Sequence, residues 1–166
     1  MKKVDVREAG NKGKGVFAVE NIKQGDHILD IDDTHVIDTE EDLPEEEREH
    51  IDYLAKGMVH MQSPEVYINH SCNPNVYVRT VDGVRKLFAM KDILPDDEIA
   101  YDYAINGDYG WGARCGCGSD NCRGILDNNF WHLSIERQKE YLPYLDGWFR
   151  DKYPEKIKSL ESLDSN

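Results

Sequence analysis

Four cysteines constrain this chain more than any other feature. Cys115, Cys117 and Cys122 crowd into CGCGSDNC, while Cys72 stands far upstream. In a reducing compartment, clustered thiols serve as metal ligands more often than as disulfides. Cys115 and Cys117, two residues apart, would also make an awkward disulfide pair. A structural zinc takes four tetrahedral thiolates at about 2.3 Å, and the chain supplies four cysteines with none left over. The small residues between them let the backbone wrap a metal closely. One structural zinc on Cys72, Cys115, Cys117 and Cys122 is therefore expected. Four reduced, partly buried thiols without metal are the alternative, because the fourth ligand of C-x-C-x4-C must come from another segment.

A length of 166 residues suits one domain with a small appendage. The 33 acidic and 20 basic side chains give a formal charge of −13. Such a balance argues against direct nucleic-acid binding, which needs a basic face to displace phosphate counterions. It suits a basic partner. No apolar run approaches the roughly 18 residues of a membrane helix, and MKKVDVREAG has no apolar stretch behind its lysines. An intracellular protein, cytoplasmic or nuclear and neither secreted nor membrane-bound, is expected.

Along the chain, VFAV and HILDI flank NIKQGD and read as two short strands around a turn. Residues 38–49 carry eight acidic side chains and one arginine. Pro44 can open a helix there, and Ile51, Leu54, Ala55, Met58 and Val59 recur at helical spacing, which predicts a helix with one buried face. The acidic run reads as its solvated side, with collection of basic substrate as the second reading. VYVRTV and VRKLFAM flank Asp82–Gly83, which predicts a type I′ hairpin. EIAYDY follows the turn PDDE as another strand. Beyond Cys122, SIERQKEYL and Trp148 to Leu163 look helical, separated by Pro143 and Gly147. This tail carries Trp131, Tyr141, Tyr144, Trp148 and Phe149, so it must pack on the chain's own core or on a second copy in a homodimer.

Three more segments matter: GKGVFA at 13–18, YINHSCNPN at 67–75 and EIAYDY at 98–103. Alone, each reads as an ordinary turn, a polar pair in a core, or a packed strand end. In this order, followed by CGCGSDNCRGIL, they resemble the SET-domain family of protein-lysine methyltransferases with a cysteine-containing post-SET segment. The resemblance runs from about Lys12 to Leu126. It implies a mainly β fold with some α: small curved sheets with knot-like C-terminal threading, a zinc-bound post-SET segment and a helical tail. The expected division is 1–110 for the SET domain with a short acidic insert at 32–65, 111–126 for the zinc segment, and 127–166 for a helical extension.

The same resemblance implies S-adenosylmethionine as cofactor, touched through the backbone by Lys14, Gly15 and Val16, and held by Asn69 and His70. It places Gly116 near the adenine and Leu126 near a lysine channel, and it makes Cys72 the zinc ligand that joins the other three cysteines. Tyr103 matches the catalytic tyrosine, Tyr101 the position that sets product multiplicity, and Tyr67 an aromatic residue of the same pocket. Tyr67 reads equally as a core aromatic. The implied reaction is transfer of one or two methyl groups to a lysine in a basic protein, such as a histone-like tail. A silent zinc-stabilised interaction module and a methyltransferase for small amines are the alternatives. Two departures stand out: Val66 replaces a common arginine of the family, and no cysteine-rich region precedes the glycine loop. The five other histidines, His27, His35, His50, His60 and His132, show no ligand pattern.

Overall fold

A computed structural model describes residues 2–54 and 57–163, apart from the side chain of Trp111. Val4–Glu8 (β1) and Lys14–Ala18 (β2) form the first antiparallel pair, followed by His27–Asp30 (β3), Val36–Ile37 (β4), Ile51–Leu54 (β5) and Gly57–His60 (β6). Asn69–His70 (β7), Val76–Val81 (β8), Val84–Ala89 (β9) and Glu98–Tyr101 (β10) come next. Asp108–Arg114 (β11) pairs with Ile125–Asn129 (β12), and Ile135–Tyr141 (α1), Gly147–Lys152 (α2) and Pro154–Ser162 (α3) close the chain. The fold is therefore mainly β with helices at its end, as expected.

The strands form small sheets ordered β1-β2-β10-β7, β3-β9-β8, β4-β6-β5 and β11-β12. The β8–β9 hairpin turns at Asp82 and Gly83 with φ of 53° and 77°, the positive values that its dipeptide predicted. Residues Val16, Ile22, Val76, Leu87, Ile93 and Ile99, each 0–1 % exposed, fill the core between the first two sheets.

β10 positions the site. It runs antiparallel to β2, with Glu98 opposite Phe17, and parallel to β7, with Tyr101 opposite His70. Asn75 secures the parallel side: its amide donates to the Glu98 carbonyl and its Oδ1 accepts from the Ala100 amide, both at 2.8 Å. A single strand thus draws the glycine loop, the Asn-His pair and the two tyrosines together.

The helix expected around residues 44–59 is not there. Glu45–His50 makes a short 3-10 turn, and β5 and β6 then form a hairpin with Tyr53 opposite Met58. The apolar residues of this stretch fit two facing strands as well as one helix face. Gly57, at φ 126°, adopts a conformation closed to a helix. Ala55 lies outside the described residues. The β11–β12 pair went unforeseen because glycines at 107, 110 and 112 dilute its strand character. At Gly107 the reason is contact: a Cβ there would fall 1.8 Å from the Asn128 carbonyl oxygen.

The tail helices pack on the chain itself. Phe130, Tyr141 and Phe149 are fully buried in a second core with Ile105, Ile157 and Leu160. Asp146 docks this unit onto β8, accepting from the Thr80 amide and hydroxyl at 2.8 Å each. The stretch from Trp148 to Leu163 splits at Tyr153, since Pro154 has no amide to continue α2 and disfavours helical backbone before it.

Arg85 on β9 ties the acidic insert down. Its guanidinium donates to Asp33 at 2.6 and 2.8 Å and to Asp52 at 2.7 Å, and it reaches Glu65 at 3.4 Å. One cation cannot neutralise three carboxylates, and burial pushes the Glu65 carboxyl up to about 7. A carboxyl raised in the folded state binds protons that the unfolded chain has released, so its stabilisation is lost as pH rises from about 4.5 towards 7. Glu65→Gln should therefore match the wild-type chain near pH 4.5 and exceed it by ~3 kcal/mol at pH 8. Urea unfolding of both chains across this range measures the difference.

Candidate active site and metal centre

At the end of β10 the chain opens a cleft of about 310 Å³, lined by Asn69, His70, Tyr103, Cys115, Gly116, Cys117 and Leu126, with Asn11, Lys12 and Arg114 at its border. Six of these residues were singled out from the sequence as cofactor, catalytic or metal positions, and Leu126 as a neighbour of the lysine channel. Such a volume lies at the small end of ligand pockets.

The glycine strand packs behind Asn69, and Lys14, Gly15 and Val16 are not among the residues that line the cleft. A Cβ on Gly15 would fall 2.9 Å from Ala9 Cβ, 3.0 Å from Glu98 Oε1 and 3.2 Å from Asn69 Nδ2, so only glycine lets these elements close. Asn69 spends both amide hydrogens on this contact, donating to the Lys14 carbonyl at 2.9 Å and to Glu98 Oε1 at 2.8 Å. Lys12 pairs with the other Glu98 oxygen. The Val16 side chain is wholly inside the core, and its strand pairs with Ile99 of β10. Lys14 and Tyr67 border a neighbouring cleft with Val6, Arg7, Glu8 and Ser63, and the Lys14 ammonium sits 4.9 Å from the Tyr67 ring centre.

The two tyrosines are held by backbone carbonyls. Tyr103 donates to the Ile68 carbonyl at 2.9 Å, and Tyr101 donates to the Ile105 carbonyl. Burial pushes the Tyr103 phenol up to about 12 and raises Tyr101 as well, so both are neutral at pH 7. Their ring centres lie 6.3 Å apart.

His70 joins this pair to the cysteines. The Tyr103 amide donates to its Nδ1 at 3.3 Å, which leaves the ring hydrogen on Nε2, 3.4 Å from Cys72 Sγ. Burial pulls the His70 imidazole down to about 4, so the ring is neutral. The four cysteine sulfurs all lie within 4.8 Å of one another. Cys72 and Cys115 are 3.8 Å apart, and four thiolates around a tetrahedral zinc stand about 3.8 Å apart. Neighbouring donors suit thiolates as well: Ser119 Oγ is 3.1 Å from Cys117 Sγ, and the Arg123 and Gly124 amides each donate at 3.4 Å, to Cys72 and Cys122. A soft, closed set of four sulfurs fits zinc and leaves no open coordination position. Burial pushes the metal-free Cys72 thiol up to about 12, so a cation would have to displace its proton.

Asp102, between the two tyrosines, was missed from sequence. It is 0 % exposed, grips both amino groups of Arg123 at 2.6 and 2.9 Å, and accepts from the Tyr141 hydroxyl at 2.9 Å. The signal available was an aspartate inside an apolar strand end, a position that requires a buried partner. Glu98 was missed too, since a carboxylate at a strand start reads as solvated.

The SET domain family profile matches residues 13–104, just over half of the chain. The H3 lysine-4 specific histone-lysine N-methyltransferase of Aspergillus oryzae is 30% identical over 135 residues, covering 68% of this chain and 11% of that protein. Histone-lysine N-methyltransferase ASHR3 of Arabidopsis thaliana is 29% identical over 145 residues, covering 75% of this chain and 28% of that one. The chain thus spans about a tenth of the length of the fungal H3 lysine-4 relatives it matches. Among solved structures, KRYPTONITE in complex with mCHG DNA and SAH superimposes with a TM-score of 0.54 at 27% identity, covering 74% of this chain and 28% of that one. The methyltransferase domain of human SETMAR shares the fold, with a TM-score of 0.55 at 22% identity over 78% of this chain and 59% of that one. With the glycine strand, the Asn-His pair and the tyrosine strand joined in one sheet over a four-cysteine centre, and with the family profile spanning all three, this chain belongs to the SET domain family.

Proposed function

We propose that this chain is an S-adenosylmethionine-dependent protein-lysine methyltransferase. The observation that carries the reading is the convergence on β10: it places Asn69, His70 and Tyr103 around one cleft whose far wall is the cysteine segment. Histone-lysine methyltransferases among its relatives, and a structural relative crystallised with SAH, support the same activity and donor. When bound, S-adenosylmethionine supplies a methyl carbon that a neutral lysine amine attacks opposite the departing sulfur, forming C–N as C–S breaks, with the amine proton passing to water.

The protein's own part is positioning and exclusion of water. Asn69 and the backbone at Lys14 to Val16 are assigned to the donor by their family positions, Gly116 flanks its adenine, and Tyr103 aligns the amine. A phenol held neutral by burial cannot serve as an anionic base at pH 7, so its role is alignment. Tyr101 and Leu126 are assigned to the lysine channel, and Tyr67 to the same pocket by its family position. The Tyr101 hydroxyl occupies room that a further methyl would need, which favours mono- or dimethyl products. A zinc ion on Cys72, Cys115, Cys117 and Cys122 would tie residues 111–126 over the cleft and take no part in the chemistry. The −13 charge, dense across 38–49, favours a basic protein substrate such as a histone tail, with nuclear location following from that substrate.

Label transfer from S-adenosylmethionine to a mixture of basic proteins tests the activity. Tyr103→Phe should lower turnover at least ~10²-fold while calorimetry finds donor affinity within about twofold of wild type. Unchanged turnover in this variant, or donor-induced stabilisation of the wild-type chain without any transfer, would remove the assignment. Mass spectra dominated by trimethyl-lysine would overturn the role given to Tyr101.

The metal reading has its own check. Protein purified without chelator should carry one zinc per chain, and Cys117→Ser should lose it more readily to a competing chelator. A zinc content far below one equivalent would return the cysteines to simple thiols.

A further inference from the structure

The reaction proposed above uses no residue beyond Leu126, and the tail helices bury Tyr141 and Phe149 in a core shared with Ala104 and Ile105. Asp146 reaches from that core to β8, and Tyr141 reaches towards the proposed site. Tyr141, itself 0 % exposed, sends its hydroxyl to Asp102 Oδ2. Asp102 stands immediately before Tyr103, and its side chain shapes the turn that presents that tyrosine. Its Oδ1 accepts from the Ala104 amide at 3.1 Å and its carbonyl from the Ile105 amide at 2.9 Å. Tyr103 sits inside this turn, with its amide on His70 and its hydroxyl on Ile68.

Besides the Ala104 amide within the turn, the carboxylate has two anchors from other segments, of different kinds. Arg123 grips both oxygens, but it belongs to the cysteine segment, where no helix or strand lies between Arg114 and Ile125. Tyr141 approaches Oδ2 from a packed helix. With Arg123 alone, the orientation of the buried carboxylate would follow every shift of the cysteine segment, and the turn would follow the carboxylate. We infer that Tyr141 is a positioning residue for methyl transfer: through Asp102 it holds the 102–105 turn, and hence Tyr103, in register with the cleft. The helical tail is thereby a working part of the site. This inference rests on the assignment of Tyr103 to the reacting centre, since misplacement of a reacting group by about 1 Å can cost 10²-fold in rate.

Tyr141→Phe removes the hydroxyl and keeps the ring, and Ile157→Ala loosens the tail core without touching Asp102. Tyr141→Phe should lower kcat about tenfold, leave the KM and Kd for S-adenosylmethionine unchanged, and speed amide exchange at 104–105. Ile157→Ala should lower Tm at least as far while keeping wild-type kcat. Wild-type kcat in Tyr141→Phe, or an equal loss of kcat in Ile157→Ala, would overturn the inference. If the wild-type chain transfers no methyl group, the proposed function fails. Exchange at 104–105 then still decides the contact, and unchanged protection in Tyr141→Phe would overturn it independently.

Discussion

A carboxylate with no access to water must be met by donors on every side, and Asp102 draws its donors from segments far apart in sequence. Arg123 comes from the cysteine segment, Tyr141 from the tail, and the Ala104 amide from the turn that follows. The Arg123 backbone then continues outward, its amide donating to Cys72 Sγ. Removing Arg123 from this set would strand a buried charge, at a cost of roughly 3–5 kcal/mol. The turn bearing Tyr103, the cysteine loop and the last helices therefore form around this group together.

β10 does the corresponding work for the cleft. Its antiparallel edge fixes the glycine loop, and its parallel edge fixes Asn69 and His70. A parallel pair cannot be closed by a tight turn, so the chain between β7 and β10 makes the β8–β9 hairpin before returning. Glu98 serves both edges at once, receiving Lys12 from one side and Asn69 from the other. Gly15 is the close approach that allows it.

Much of this was legible in the sequence, and the reasons differ by element. Asp82–Gly83 specifies its turn locally, and GKG, NHSC and YDY announce a site when read in order. The tail announced itself by its aromatic residues, of which Tyr141 and Phe149 are buried while Trp148 stays exposed. The stretch from Ile51 to Val59 misled, because apolar positions spaced for a helix also suit two short facing strands, and partners such as Arg85 for Asp52 lie far away in sequence, 33 residues on. β11 was hidden by Gly110 and Gly112, and the need for glycine at Gly107, just before it, is visible only once Asn128 is in place. Asp102 and Tyr141 lie 39 residues apart, and neither residue type by itself points to the other.

The far wall of the cleft differs from the rest of the molecule in what can hold it. Between Arg114 and Ile125 the backbone has few internal bonds, among them Cys115 to the Gly124 carbonyl at 3.1 Å and Cys122 to the Ser119 carbonyl at 3.0 Å. Gly116, Gly118 and Gly124 offer no side chain to bury, and Cys115, Cys117 and Cys122 are only partly buried. Apolar burial, which stabilises both cores, is therefore too small here to set the loop's position. The fixed points that remain are Arg123 on Asp102 and Cys72 beside Cys115. A metal ion shared by Cys72 and the loop would add the missing restraint at the place where Cys115, Gly116 and Cys117 face the cleft. Any ligand that needs that wall in place would then bind more tightly with the metal than without it, and by reciprocity would slow the metal's loss.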